Sequence, residues 1–156
     1  MIDDPDFSLA LEATWQRLYP DDRRQYTWHD DQKDLTLILS AGSHDISFGQ
    51  IDQASRLVLD LLLHSETTIA TVLGRTATIY EPVIVPRPWG RAIAYYGHDG
   101  AGRQFGHSAI LTCRCRISAG LWSSRRSEAE LLAAMDDIAS RIVFDRTPLD
   151  QERPFR

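Results

Sequence analysis

With 156 residues, 43% of them apolar and 25% charged, the chain has the material for one ordinary domain with its own core, which excludes a disordered chain or a disulfide-held miniprotein. Its net charge of −5 has the wrong sign for a phosphate-backbone binder, so no nucleic-acid partner is expected. The charge is concentrated: residues 1–34 hold nine acids and four bases, and the remainder carries 13 of each.

The opening Met-Ile-Asp-Asp-Pro-Asp is acidic where a secretory signal begins basic and continues apolar. The run Leu57–Leu63, interrupted by Asp60, is too short to span a bilayer. The expectation is a cytoplasmic protein without a membrane partner, and the two cysteines, Cys113 and Cys115, suit a reducing compartment.

Along the chain, Phe7 to Glu12 alternates with Phe7, Leu9 and Leu11 on one side, which predicts a strand; a helix from Pro5 to Leu18 is the competing reading. Gln25–His29 and Asp34–Ser40 flank a turn-rich Asp30-Asp31-Gln32-Lys33 and predict a hairpin, with a loop over Gly42–Gly49. Residues 51–64 place Ile51, Ala54, Val58, Leu61 and Leu62 near one helical stripe. Strands are predicted at Thr68–Leu73, Thr76–Val85, Arg91–His98 and Ser108–Ile117, with breaks at Arg87–Gly90 and Asp99–Gly102. Ser127-Glu-Ala-Glu130 is a capping box opening a helix over 127–143, on which Leu131, Met135, Ile138, Ala139 and Ile142 make an apolar stripe. Residues 1–146 therefore read as a single α+β domain, with an exposed tail from Thr147 to Arg156. Strands grouped apart from helices argue for one antiparallel sheet with both helices packed on the same face and the other face open.

Chemical motifs are thin. Cys113 and Cys115 would share an apolar row with Ala109, Leu111 and Ile117, and no second cysteine pair completes a zinc site, so neither metal nor cofactor is expected. His98, Asp99, His107 and Ser108 could be drawn as a hydrolase triad, but Ser108 lacks a nucleophile elbow. The acid pairs Asp21-Asp22, Asp30-Asp31 and Asp136-Asp137 lack calcium-loop spacing and point apart on regular elements. Trp89, between Pro88 and Gly90, is either an interface anchor or a lid folded back over the core, and of the adjacent Tyr95 and Tyr96 one must leave the other's face.

A strand ending at Trp15, a hairpin, a helix over 51–64, an antiparallel run with the step Gly74-Arg-Thr-Ala77, and a last helix running into Ile142-Val143-Phe144 together resemble the DcrB/PsbP-like superfold over about residues 7–145. That resemblance implies a binding scaffold, of the kind found in Ran-binding Mog-type proteins, photosystem extrinsic subunits and Eag-type chaperones of type VI secretion effectors. The function expected is non-enzymatic protein binding, foremost as a bacterial immunity-type protein that neutralises a secreted toxin. An acidic N-terminal quarter suits a basic effector, with Asp21, Asp22, Asp30, Asp31, Trp89, Tyr95 and Tyr96 as the expected contacts. An Eag-like chaperone and a small hydrolase using His98, His107 and Ser108 are the alternatives; Arg114 and Arg116 would put charge on a chaperone's open apolar face.

Overall fold

A computed structural model describes residues 1–20 and 22–149. In chain order its elements are β1 (Ile2–Asp3), β2 (Phe7–Leu9), β3 (Gln16–Arg17), β4 (Gln25–Asp30), β5 (Leu35–Ser43), a 3-10 turn (Phe48–Gln50), α1 (Ile51–Val72), β6 (Thr78–Ile79), β7 (Val83–Arg87), β8 (Gly90–His98), β9 (Gln104–Leu111), β10 (Cys115–Ser123), α2 (Glu128–Arg141) and β11 (Ile142–Phe144). The fold is α+β with antiparallel pairing, but the expected single sheet is two. Eight strands form the large sheet, in the order β3-β4-β5-β10-β9-β8-β6 with β7 also on β8, and β1-β2-β11 form a small one. The small sheet arises because α2 runs straight into Ile142, and Phe144 then pairs with Phe7.

The predicted hairpin forms as β4 and β5, and the capping box at Ser127 forms with Glu130. The strand at Phe7 forms in place of the competing helix, though only through Leu9. Three expectations fail. The strand expected at Thr68–Leu73 is the last part of α1: Thr67 and Thr71 each return a hydroxyl hydrogen bond to the carbonyl four residues back, so β-branched residues are held in helix. That helix ends at Gly74, whose φ of 70° lets the Arg75 amide reach the Ala70 carbonyl and the Gly74 amide the Thr71 carbonyl. The strand expected at Ser108–Ile117 is a hairpin instead. Thr112 Oγ1 accepts the amides of Arg114 and Cys115, turning the chain with neither glycine nor proline. Ile117 therefore opposes Ile110, and the expected row through Ala109, both cysteines and Ile117 does not exist. Residues 76–85, expected as one strand, split into β6 and β7 around Pro82.

The two helices do not share a face. On one side of the large sheet α2 crosses β9 and β10, its Met135 sulfur lying over Gly106, and the small sheet packs beside it with Phe7 edge-on to Tyr26 at 6.1 Å. Leu37, Leu39, Ile117, Ala119 and Leu121 meet Leu131 and Ile138 there in the main core. On the other side α1 packs chiefly along β8. Similar apolar stripes on two helices carry no information about which side each takes when the central strands are apolar on both. Here Ile93, Phe105 and Leu111 on the α1 side are as buried as Leu37 and Leu121 on the α2 side.

Candidate functional site

Alternation along β8 sends Tyr95 and Tyr96 to opposite sides of the sheet. Tyr96 stays with the α2 side, packed on Tyr80 at 4.7 Å. Tyr95 is buried on the α1 side, where its ring stacks on His107 at 5.5 Å with an interplanar angle of 9°, and its hydroxyl donates to Glu66 Oε1 of α1 at 3.4 Å. Glu66 also faces Arg103 Nη1, 3.8 Å from its Oε2.

Beside the apolar Ile93, Phe105 and Leu111, this side carries a set of polar residues. Along β10 the positions facing it are Arg116, Ser118, Gly120 and Trp122; β5 adds Thr36, Ile38 and Ser40, and β4 adds Thr27 and His29. The His107 ring lies over Gly120, where a Cβ would come within 3.2 Å of Nδ1. Burial, helped by the charge of Arg116, pulls the His107 pKa down to about 4, so the ring is neutral at pH 7. Burial pushes the Glu66 carboxyl above its usual range, against the pull of Arg103 and Tyr95. Among the described residues His107 Nε2, Ser118 Oγ and Glu66 Oε2 are buried without a hydrogen-bond partner. Such groups are uncommon in a settled interior and cluster where a protein works.

Next to this cluster the side opens as a cleft of about 340 Å³, lined by Trp122, Arg103, Arg75, Ala101, His29, Thr36, Asp34, Ser123 and Ser124. Outside the cleft, the exposed surface of α1 mixes polar residues, among them Arg56, Asp60 and His64, with large aliphatic ones. Leu57, Leu61 and Val72 are 60%, 61% and 80% exposed on its outer face, and Ile69 and Leu73 are also exposed.

The structure relocates most of the expected contact residues. Asp21 lies outside the described residues. Asp22 is exposed and bridges to Gln25. Asp30, expected free at the hairpin tip, is 0% exposed: it accepts the Thr14 hydroxyl at 2.6 Å and the amides of Gln32 and Lys33. Burial raises its pKa, and these bonds with the Lys33 charge outweigh it, so the carboxyl sits below its usual range. Asp31 is exposed but pairs with His29 Nε2 at 3.0 Å. Trp89 folds back over the core, half-buried and edge-on to Phe144 at 4.9 Å. Tyr95 is buried and Tyr96 half-buried.

Much of the acidic quarter is neutralised internally. Arg24 binds both Asp4 (Nε to Oδ2, 3.0 Å) and Asp6 (Nη2 to Oδ2, 2.7 Å), Lys33 and Arg141 hold Glu12, and Asp34 is held by Ser123, Ser124 and Arg125. The hydrolase residues do not converge either. Ser108 and His107 are adjacent on β9 and so point to opposite sides, and His98 Nδ1 accepts the Gly100 amide in its own loop. Cys115 is buried and Cys113 half-buried in the turn, where burial pushes its pKa up. Among the described residues no three of His, Cys, Asp and Glu gather as a metal site, and no helix is long and apolar enough to cross a membrane.

Sequence reasoning missed Glu66, Arg103, Ser118 and Trp122, because only pairing across β8, β9 and β10 brings them together. Leu61, expected on the covered stripe with Ile51, Ala54, Val58 and Leu62, is exposed instead, because Leu57, Leu59, Leu61, Leu62 and Leu63 cannot all lie on one helical face.

The fold itself has solved counterparts. The cyanobacterial PsbP protein CyanoP of Synechocystis sp. PCC 6803 superposes with a TM-score of 0.66 over 92% of this chain and 91% of its own, at 13% identity. The chain has a PsbP-like fold. A protein of Bacteroides thetaiotaomicron VPI-5482 matches 89% of the chain and 45% of its own length with a TM-score of 0.52 at 11% identity. No protein-family model matches the sequence, and no curated protein does. At these identities the likeness concerns the fold alone.

Proposed function

We propose that this PsbP-like domain is a non-enzymatic, cytoplasmic protein-binding module that works through the outer face of α1. The observation that carries the reading is the exposure of Leu57, Leu61 and Val72, with Ile69 and Leu73, along a 22-residue helix. They form two aliphatic groups, Leu57 with Leu61 and Ile69 with Val72 and Leu73, and exposed apolar groups of this kind mark a surface that a partner covers. Within that class the function is that of a bacterial immunity-type protein, binding a basic secreted toxin. The net charge of −5 supports it, since long-range attraction would speed encounter with such a partner while the helix supplies the contact. The acidic quarter is then a source of field and not the contact itself, because Asp4, Asp6, Glu12, Asp30 and Asp34 already have internal partners.

The chaperone reading has one observation in its favour: the exposed apolar residues of α1 are all aliphatic, which suits an apolar segment of an effector as well as a folded domain. One experiment separates the readings. The native chain and a Leu57→Ser/Leu61→Ser variant are used for affinity purification from the native host, and the co-purifying protein is then expressed alone. Immunity predicts a basic protein that arrests growth unless this chain is supplied and that binds through its mature catalytic domain. A chaperone predicts binding to an apolar segment and no rescue of growth. Equal retention of partners by both chains would end the assignment to α1.

A further inference from the structure

The cleft on the α1 side has features that the protein-binding reading does not use. Its volume of about 340 Å³ lies in the range of small-molecule pockets. Most of its polar lining is consumed within its own walls. His29 Nδ1 is bonded to Thr36 Oγ1 at 2.9 Å, Asp34 accepts both the Ser123 and Ser124 hydroxyls, and Arg75 Nη1 is paired with Asp99 Oδ2 at 3.0 Å.

Arg103 differs. Its guanidinium carbon lies 5.2 Å from the Phe105 ring centre and 5.4 Å from that of Trp122, so two aromatic rings support the fork from below. Its acid partner among the described residues is Glu66, whose Oε2 is 3.8 Å away, too far for a good hydrogen bond. A guanidinium carries five N–H donors, and this one is mostly screened from water. It is therefore a positioned cation with donors to spare in the lining of a cleft.

We propose that the cleft binds a small monoanionic carboxylate, whose two oxygens meet the Arg103 fork while an apolar body rests against the uncovered part of Trp122. A planar carboxylate is the geometric complement of a guanidinium held flat. Asp34 in the wall, and Asp99 behind it paired with Arg75, disfavour a dianion, which sets carboxylate above phosphate. The apolar body follows from the indole and from Ala101 in the lining.

The test is a titration of the ¹⁵N-labelled native chain with benzoate, with its neutral isostere benzamide, and with inorganic phosphate, followed by NMR. Benzoate is expected to shift the Trp122 indole and the Ala101 and Arg103 amides saturably, with benzamide and phosphate at least about tenfold weaker, as expected for loss of a charge-assisted bidentate bond. Arg103→Gln is expected to remove the preference for benzoate, and Arg103→Lys to retain part of it. Benzamide binding as well as benzoate would overturn the proposal, as would phosphate binding equally well or shifts confined to other arginines. The probe comparison uses the native chain alone, so an unfolded variant would not rescue a failed result. Because neither Leu57 nor Leu61 lines the cleft, Leu57→Ser/Leu61→Ser is expected to leave the titration unchanged.

Discussion

The two sides of the large sheet are built from the same strands and differ in how they are closed. Against the α2 side lie α2 and the small sheet, which enclose a continuous aliphatic and aromatic core with Asp30 and the unpartnered Trp28 Nε1 at its margin. The α1 side receives one helix with exposed leucines, and between helix, loop and sheet lie Glu66, Arg103, His107, Arg116 and Ser118, three of them with buried polar atoms left unpartnered. Packing free energy comes mainly from dry, close contact, so stability is concentrated on the first side. Unpaired polar atoms and uncovered leucines reduce stability, and on the second side both persist next to a cleft. The contrast separates a face that holds the molecule together from one available for binding.

The sharpest way to break this contrast is to delete volume on the closed side. Leu121→Ala is expected to cost about 4 kcal/mol, because a fully buried leucine leaves a cavity that α2 and the sheet cannot close. Urea unfolding would measure it, and a loss under about 1 kcal/mol would mean that the closed side is less tightly packed than described.

On the polar side the largest expected effect depends on pH. His107 has a folded pKa near 4 against about 6.5 unfolded, so between these values the unfolded chain binds more protons and stability rises with pH. Its contribution is present above pH 6.5 and is lost as pH falls towards 4, amounting to about 3 kcal/mol if the ring stays neutral throughout. Glu66 acts in the opposite sense, since its raised pKa favours the fold in acid and that advantage fades as pH rises through it. Denaturant midpoints from pH 4 to 7 for the native chain and His107→Leu would show the effect, with a flatter profile in the variant. Identical profiles would remove His107 as the buried titrating group.

A smaller loss, roughly 2 kcal/mol, is expected for Asp30→Ala, which strips an acceptor from the Thr14 hydroxyl and two hairpin amides. Thermal melts would detect it; if stability held, Asp30 would return as a candidate surface charge. The smallest effect is expected for Leu57→Ser/Leu61→Ser, within about 0.5 kcal/mol, since both side chains are already in water. A marked destabilisation would place these leucines in an interface between copies of the chain, and size measurement of the variant would reveal the dissociation.

The sequence carried much of this arrangement. Local signals sufficed wherever the deciding contacts are near in sequence: the capping box at Ser127, the β4–β5 hairpin, the start of α1 at Ile51 and the order that resembles PsbP-like proteins. They failed where a side chain replaced the usual marker, as at Thr112, whose hydroxyl turns β9 into β10 without glycine or proline. They failed also at Thr67 to Val72, where β-branched residues continue a helix and the threonine hydroxyls bond carbonyls four residues back. For the candidate site, Tyr95 and His107 were noticed only as isolated residues, and Arg103, Glu66 and Trp122 not at all.

Charge shows the division most clearly. Composition alone determined a net charge of −5 and its concentration in the first 34 residues. Whether those carboxylates face a partner or their own chain was decided in three dimensions, where Arg24 closes on Asp4 and Asp6 and the hairpin closes around Asp30. The side on which each helix packs was decided the same way. An apolar stripe specifies that a helix must be covered, but with both faces of the central strands apolar, only the path of the chain selects the face, and with it which polar residues are left beside the cleft.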